Sequence, residues 1–338
     1  TPNTSFGTTS FETGFELYML NKRLSLDATV YESNTKNQII TVPLDYSTGY
    51  ASRVTNAGNV RNRGIEIILG GTIIDNPGFK WKSTLNWSRN WNKILELADD
   101  AEDQYVIGEG GTASIIGKVG GTTTAIYGYG FVRDPEGNIV YDEAGLPAYP
   151  DEIQYIGDAS PDWKAGLTNV FTIGNFTASV TVDGQYGGIV YSQTHHKMME
   201  QGKLKGTLMG REQGYIIGDG VVLNADGTYS QNTTQVTLPD YYTRYYRRAN
   251  IESNSFDASF LKLREVSLGY DFPKSWFKNT GIQGVQFAVF GRDLAVISDF
   301  PIYDPETAAL NGDTILPGVE MGQMPSPATY GFNLKVNL

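Results

Sequence analysis

Eight consecutive residues, Tyr241-Tyr242-Thr243-Arg244-Tyr245-Tyr246-Arg247-Arg248, hold four phenol rings and three guanidinium groups. Aromatic faces stack on sugar rings or peptide side chains, and guanidinium forks hold carboxylates or carbonyls. Tyr241, Tyr242, Arg244, Tyr245, Tyr246 and Arg247 are therefore candidates for ligand binding or partner contact. The same composition suits packing against neighbouring loops, and the sequence leaves both readings open.

Other chemistry is sparse. His195 and His196 are the only histidines. Adjacent side chains point apart in an extended chain, and no carboxylate or cysteine stands at metal spacing beside them, so a solvated loop pair is expected. The acidic run Asp99-Asp100-Ala101-Glu102-Asp103 could attract calcium, but it lacks the Asp-x-Asp-x-Asp-Gly spacing of a calcium loop, and no metal or other cofactor is assigned. The glycines from Gly117 to Gly121 and the Gly128-Tyr129-Gly130 triplet precede no helix carrying Lys-Ser/Thr, so they are not phosphate cradles. No Ser, His and acid set stands out, and an enzyme is not expected.

The elements that must hold the Tyr/Arg cluster read as strands. Thr329 to Leu338 alternates strictly, with Tyr330, Phe332, Leu334, Val336 and Leu338 on one face and Gly331, Asn333, Lys335 and Asn337 on the other. A soluble sandwich could use such a strand, and so could a membrane barrel with lipid outside and a wet lumen inside. Similar alternation runs from Phe11 to Leu20, Leu24 to Tyr31, Val60 to Thr72, Phe79 to Trp91, Trp163 to Ile173, Phe176 to Asp183, Phe256 to Phe272, and from Val285. The phase slips near Arg264, which predicts a β-bulge. Trp81, Trp87, Trp91, Trp163, Tyr270 and Phe272, near strand ends, fit the interfacial girdles of a barrel; in a sandwich they would be core.

Composition narrows the class. The chain has 338 residues, 21 Tyr, 15 Phe, 39 Gly and no Cys, which excludes a disulfide framework and thiolate metal sites. A net charge of −11 argues against a nucleic-acid partner. No apolar run approaches the roughly 18 residues of a transmembrane helix. Mean hydropathy is −0.29, yet only alternate residues of a barrel strand face lipid, so averaging conceals them.

Connection lengths separate the two architectures. Asn21 to Arg23, Asp75 to Gly78, Gly174-Asn175 and Pro273 to Gln283 are short. Lys36 to Asn59, Asn92 to Asp162, Gly187 to Ser255 and Ala295 to Ala328 are long, with a short helix expected between Gln193 and Leu208. In an antiparallel meander the two classes alternate, so every long loop falls at one end, as in outer-membrane barrels. About nine strands are expected. An odd number cannot close alone with both termini on one side, so residues 1–338 are expected to be one part of a larger barrel. The chain begins at Thr1, without a signal segment, which suggests a processed or internal piece.

Several segments resemble the C-terminal half of the SusC/RagA family of TonB-dependent outer-membrane transporters of Bacteroidetes. They are the runs Phe11 to Glu16, Arg23 to Tyr31, Asn56 to Glu66, Gly157 to Trp163, Asp257 to Tyr270 and Gly291 to Leu294, in the family's order. The resemblance implies an all-β, antiparallel up-and-down transmembrane barrel of 22 strands with long extracellular loops and an N-terminal plug. It implies import of glycan or peptide oligomers, a SusD-like surface lipoprotein over the mouth, and energy from the TonB complex through sequence not present here. Barrels of this kind commonly end in an aromatic residue, whereas Leu338 ends this chain. The competing reading is a soluble or surface-exposed β-rich glycan-binding module.

Overall fold

A computed structural model of the chain describes residues 6–43, 52–97, 104–311 and 314–338. Nine strands form one sheet in chain order: β1 (Gly7–Met19), β2 (Leu24–Pro43), β3 (Ser52–Asn76), β4 (Phe79–Glu96), β5 (Trp163–Ile173), β6 (Phe176–Tyr186), β7 (Phe260–Asp271), β8 (Gly284–Ser298) and β9 (Thr329–Asn337). Each pairs antiparallel with the next, giving an up-and-down meander.

The register carries the alternation across the whole sheet. On one face Met19 sits opposite Leu24, Leu69 opposite both Leu26 and Leu85, and Leu85 opposite Leu167. The row continues through Val182 and Leu263 on β6 and β7. The other face is polar: Asp27 with Ser25 and Thr29 on β2, Lys82 and Thr84 on β4, Thr168 with Thr181, and Asn333 and Lys335 on β9. A side-chain period of two makes any one-residue slip invert this partition, so the pattern fixes the register.

The slip at Arg264 is a bulge. Leu263 pairs with Ala295, but Glu265 pairs with Arg292. The extra residues return Leu261 and Leu263 to the face of Val266 and Leu268. Arg264 then reaches Asp183 at 2.9 Å, Asp293 at 3.1 Å and Glu306 at 3.0 Å. Close approach also explains two glycines on the polar face. Gly64 lies beneath the ring of Tyr31, and Gly331 beneath Phe290, where a Cβ would collide with the aromatic atoms.

Three loop expectations are corrected. The polar stretch from Lys36 to Asn59 is largely strand, since Lys36 pairs with Asn59 and the ladder continues to Pro43 opposite Ser52. Ile39 and Ile40 are adjacent, which breaks the period of two, so hydrophobic alternation missed it. The strand expected from Phe256 divides. Ser255–Asp257 joins a small sheet with Ile189–Ser192 and Val319–Glu320, and β7 starts at Phe260. The stretch from Asn92 to Asp162 is not irregular. β4 continues to Glu96, and Gln104–Gly110, Ala113–Lys118, Ala125–Gly128 and Gln154–Asp158 build a four-stranded sheet.

The expected short turns join β1 to β2, β3 to β4, β5 to β6 and β7 to β8, so they share one end of the sheet. The excursions between β4 and β5, β6 and β7, and β8 and β9 emerge at the other end and pack together there. The molecule's dry cores lie in these loops. One gathers Ala113, Ile115, Ile126, Tyr191, Ile251, Ala309, Leu316 and Val319; a second gathers Tyr141, Met199, Ile216, Val236, Tyr241 and Tyr242. Among the described residues the nine-stranded wall encloses no such core, and there β1 pairs only with β2 and β9 only with β8, leaving two bare edges.

Candidate functional site

The loop assembly is organised by two eight-residue helices. In α1 (Gln193–Glu200), Ser192 caps the first turn by accepting from the His195 backbone N–H. The buried carboxylate of Glu320 accepts from Ser192 Oγ at 2.5 Å and from Thr194 Oγ1 at 2.7 Å, tying the last loop to this helix start. In α2 (Leu238–Tyr245), Thr237 is the cap and Pro239 occupies the first turn, where its missing N–H costs nothing.

The expected short helix is therefore present, but the histidines are not solvated. His195 and His196 are buried, with His195 Nδ1 2.9 Å from Asn254 Oδ1 and His196 Nδ1 2.6 Å from the Tyr246 carbonyl. Burial pushes both imidazoles below their ordinary range. Their role is to join α1 to the segment following α2. The sequence missed this because helix and loop histidines look alike in a polar stretch.

The Tyr/Arg cluster splits by depth. Tyr241 and Tyr242 are buried on α2, and Tyr242 donates to the carbonyls of Gly206 at 3.0 Å and Met209 at 2.9 Å. Tyr245 stacks on Tyr241 at 5.3 Å, and Tyr246 lies 4.8 Å from Tyr245. Burial raises the Tyr246 phenol to about 12. The ring-rich part of the motif is thus an aromatic core. Arg244 and Arg247 point elsewhere, onto Tyr149, a residue the sequence did not single out. Their Cζ atoms lie 4.6 Å and 3.1 Å from its ring centroid, and its hydroxyl donates to the Arg244 carbonyl. These two arginines, with Leu146, Asp240 and Thr243, line an open cavity of about 350 Å³.

A second hollow, about 460 Å³, lies between Phe131, Arg133, Pro150, Gln154, Tyr155 and Glu252. Arg133 pairs with Glu252 at 2.5 Å, while the Tyr155 ring stays exposed. It combines a ring face with fixed hydrogen-bonding groups, the usual makings of an oligomer subsite.

The expected girdle residues stand near the two ends of the apolar face. Trp81 stacks on Phe171 at 5.7 Å and donates to Asn169 Oδ1 at 2.9 Å. Tyr270 lies 4.7 Å from Phe176 and 5.1 Å from Phe272, and Trp276, not foreseen, extends the row at 5.7 Å from Phe272. These lie at the short-turn end. Towards the loop end, Trp163 stacks on Tyr186 at 5.7 Å, Trp87 pairs across from Ala165, and Trp91 lies under Arg89 at 4.7 Å. Just there the apolar face turns charged, with Arg63 and Glu32 paired at 2.5 Å. On β9, Tyr330, Phe332, Leu334 and Val336 share the face of Gly291, Val289, Phe287 and Val285, and Leu338 follows the strand.

The acidic run Asp99 to Asp103 lies outside the described residues. Among the described residues no group of three or more His, Cys, Asp or Glu could hold a metal ion. No helix among them is long and apolar enough to cross a membrane, which says nothing about strands.

An open meander with one greasy face, one wet face and all its folded loops at one rim defines a segment of a β-barrel wall. The family profile described as "TonB dependent receptor-like, beta-barrel" matches residues 6–276, and the chain belongs to that family. Similar curated proteins include TonB-dependent receptor P3 of Formosa agariphila, 25% identical over 95% of this chain and 33% of its own length. TonB-dependent receptor P26 of the same organism is 27% identical over 99% of this chain and 35% of its own. TonB-dependent receptor SusC of Bacteroides thetaiotaomicron is 24% identical over 97% and 32%. Among solved structures, the RagAB peptide transporter aligns with a TM-score of 0.68 at 18% identity, covering 97% of this chain and 35% of that one. RagAB in its closed-closed state gives 0.71, also at 18% identity, with the same coverage. The chain thus spans about a third of the length of the proteins it matches.

Proposed function

We propose that this chain is the C-terminal wall and part of the outer mouth of a TonB-dependent importer in the outer membrane of a Gram-negative bacterium. The observation that carries this is the two-faced sheet with bare edges and all its folded loops at one rim. Its apolar face meets lipid, with Trp81, Trp87, Trp91, Trp163, Tyr270 and Phe272 at the headgroup boundaries. Its polar face lines the lumen. Bare strand edges in hydrocarbon are too costly to persist, since each unpaired backbone group costs several kcal/mol, so further strands of the same barrel must cover β1 and β9. A plug and the TonB-contacting segment belong to the remaining length of such a protein.

The long loops face outside, meet a SusD-like lipoprotein and touch cargo. Cargo is a nutrient oligomer. The solved structures named above are of RagAB, a peptide transporter, which favours peptide over glycan. No covalent step is assigned. A soluble binding module would need these strands to close around a dry interior, whereas the described residues form an open sheet.

The test is purification of the full-length protein in detergent from its own outer membrane. The reading expects it in that fraction, accompanied by a surface lipoprotein, with peptide uptake that stops when TonB is deleted. Recovery as a detergent-free soluble monomer, or uptake indifferent to TonB, would overturn it.

A further inference from the structure

The arginines of the loop assembly are unequal. Arg133 pairs with Glu252 at 2.5 Å, and Arg211 donates to the carbonyls of Thr207 and Gly202, each at 2.8 Å. Arg244 and Arg247 have no ion pair with any described residue. They are nevertheless held against the same ring, Tyr149, so two like charges share one small volume. The single hydrogen bond donated by the Arg244 side chain to a described residue is a long one, 3.4 Å from Nε to the Pro147 carbonyl. The Nε of Arg247 is buried with no acceptor.

Local packing explains only part of this. The C-terminal end of α2 favours one cation, and a Tyr face favours one guanidinium. Neither supplies an acceptor for a buried N–H, and an unmade hydrogen bond to a buried donor is costly. Asp240 lines the same cavity, but its carboxylate is engaged by Thr237 Oγ1 at 2.7 Å. A planar anion with two oxygens is the shape a guanidinium fork matches best. A cavity of about 350 Å³ holds one side chain or chain end, and its open side lets an extended chain continue outward. A neutral glycan would bring no charge to either guanidinium.

We infer that Arg244 and Arg247 form a carboxylate-binding subsite for an acidic side chain or the C-terminus of a peptide cargo. The inference rests on the peptide-import reading above. Tyr149 positions both guanidiniums.

The experiment uses the full-length transporter with its lipoprotein, purified in detergent and exposed to a tryptic digest of a bulk protein such as casein. Retained peptides are eluted and sequenced by mass spectrometry. Wild type is compared with Arg244→Gln/Arg247→Gln and with Arg244→Lys/Arg247→Lys, each first shown to be recovered in folded form. The expected result is a retained pool enriched in peptides whose carboxylate can dock. In the Gln variant retention falls about tenfold, the scale of one charge-assisted hydrogen bond: for the acidic peptides alone if the subsite takes a side chain, and for every peptide if it takes the C-terminus. The Lys variant, keeping charge without the fork, lies between. An unchanged pool in the Gln variant overturns the subsite and leaves peptide import standing. Loss of the lipoprotein with an unchanged pool assigns the arginines to the partner's surface and also overturns it. A wild type that retains no peptide at all removes the peptide reading, and the subsite falls with it.

Discussion

Replacing Lys262 with methionine should release the last long loop from the barrel wall. The Lys262 side chain is only 4% exposed, and its Nζ lies 2.7 Å from both Asp304 and Glu306. Asp304 is 10% exposed, so without Lys262 it becomes a buried carboxylate with no cation, a change that costs about 3–5 kcal/mol. Glu306 differs. It is 45% exposed and also bonded by Arg264, so Glu306→Gln should cost about 1 kcal/mol or less. The double variant Lys262→Met/Asp304→Leu removes both charges and should recover most of the loss. Hydrogen exchange of residues 299–311 in the detergent-purified full-length protein reads this directly. A loss of about 3 kcal/mol raises local opening by about a hundredfold, since about 1.4 kcal/mol is tenfold. Equal exchange in Lys262→Met and Glu306→Gln, or a double variant worse than the single, would refute the argument that an orphaned carboxylate is the source of the effect.

Three further outcomes follow from the geometry. Leu334→Arg on the apolar face of β9 should cost about 2–4 kcal/mol if its level is near the bilayer midplane, whereas Asn333→Arg on the polar face should cost little. Folded yield of the full-length barrel in liposomes checks this, and equal yields would contradict the face assignment. Glu320→Ala should loosen the start of α1, because Ser192 and Thr194 lose their shared acceptor, at about 2–3 kcal/mol; protease sensitivity of the loop assembly should rise, and unchanged sensitivity would count against the tie. The buried histidines set a pH limit. Their folded values are depressed, so their contribution to loop stability is full above the unfolded value of about 6.5 and is lost as pH falls through the folded values. Exchange protection of residues 193–200 should therefore drop in acid, and His195→Gln/His196→Gln should flatten the dependence.

The wall was legible because a barrel strand writes its environment into alternate residues, as Tyr330 to Leu338 does without exception. The bulge at Arg264 was legible for the same reason: a phase slip has to be absorbed by an extra residue. Where alternation stops, so did the reading. The ladder beyond Lys36 and Asn59 has the adjacent apolar residues Ile39 and Ile40, which break a period of two, and the sheet containing Gln104–Gly110 is covered by its own loop assembly, so neither follows a two-sided pattern. The Tyr/Arg motif was visible, but its division was not. Whether a tyrosine packs inward or faces a ligand depends on the helical phase of α2 and on Tyr149, almost 100 positions away. Glu320 and Asn254, which tie distant loops to α1, carry no local signal at all.

The account's central claim is that the apolar face of this sheet lies against lipid and the polar face against water. These 338 residues have no cysteine, so, with any cysteine in the remaining length replaced by serine, single cysteines can be introduced from Tyr330 to Val336 and labelled with nitroxides in the full-length protein in liposomes. The account predicts a period of two, with high collision rates for dissolved oxygen at Tyr330, Phe332, Leu334 and Val336 and high rates for a water-soluble nickel complex at Gly331, Asn333 and Lys335. A flat profile, or one with the two reagents exchanged, would contradict it.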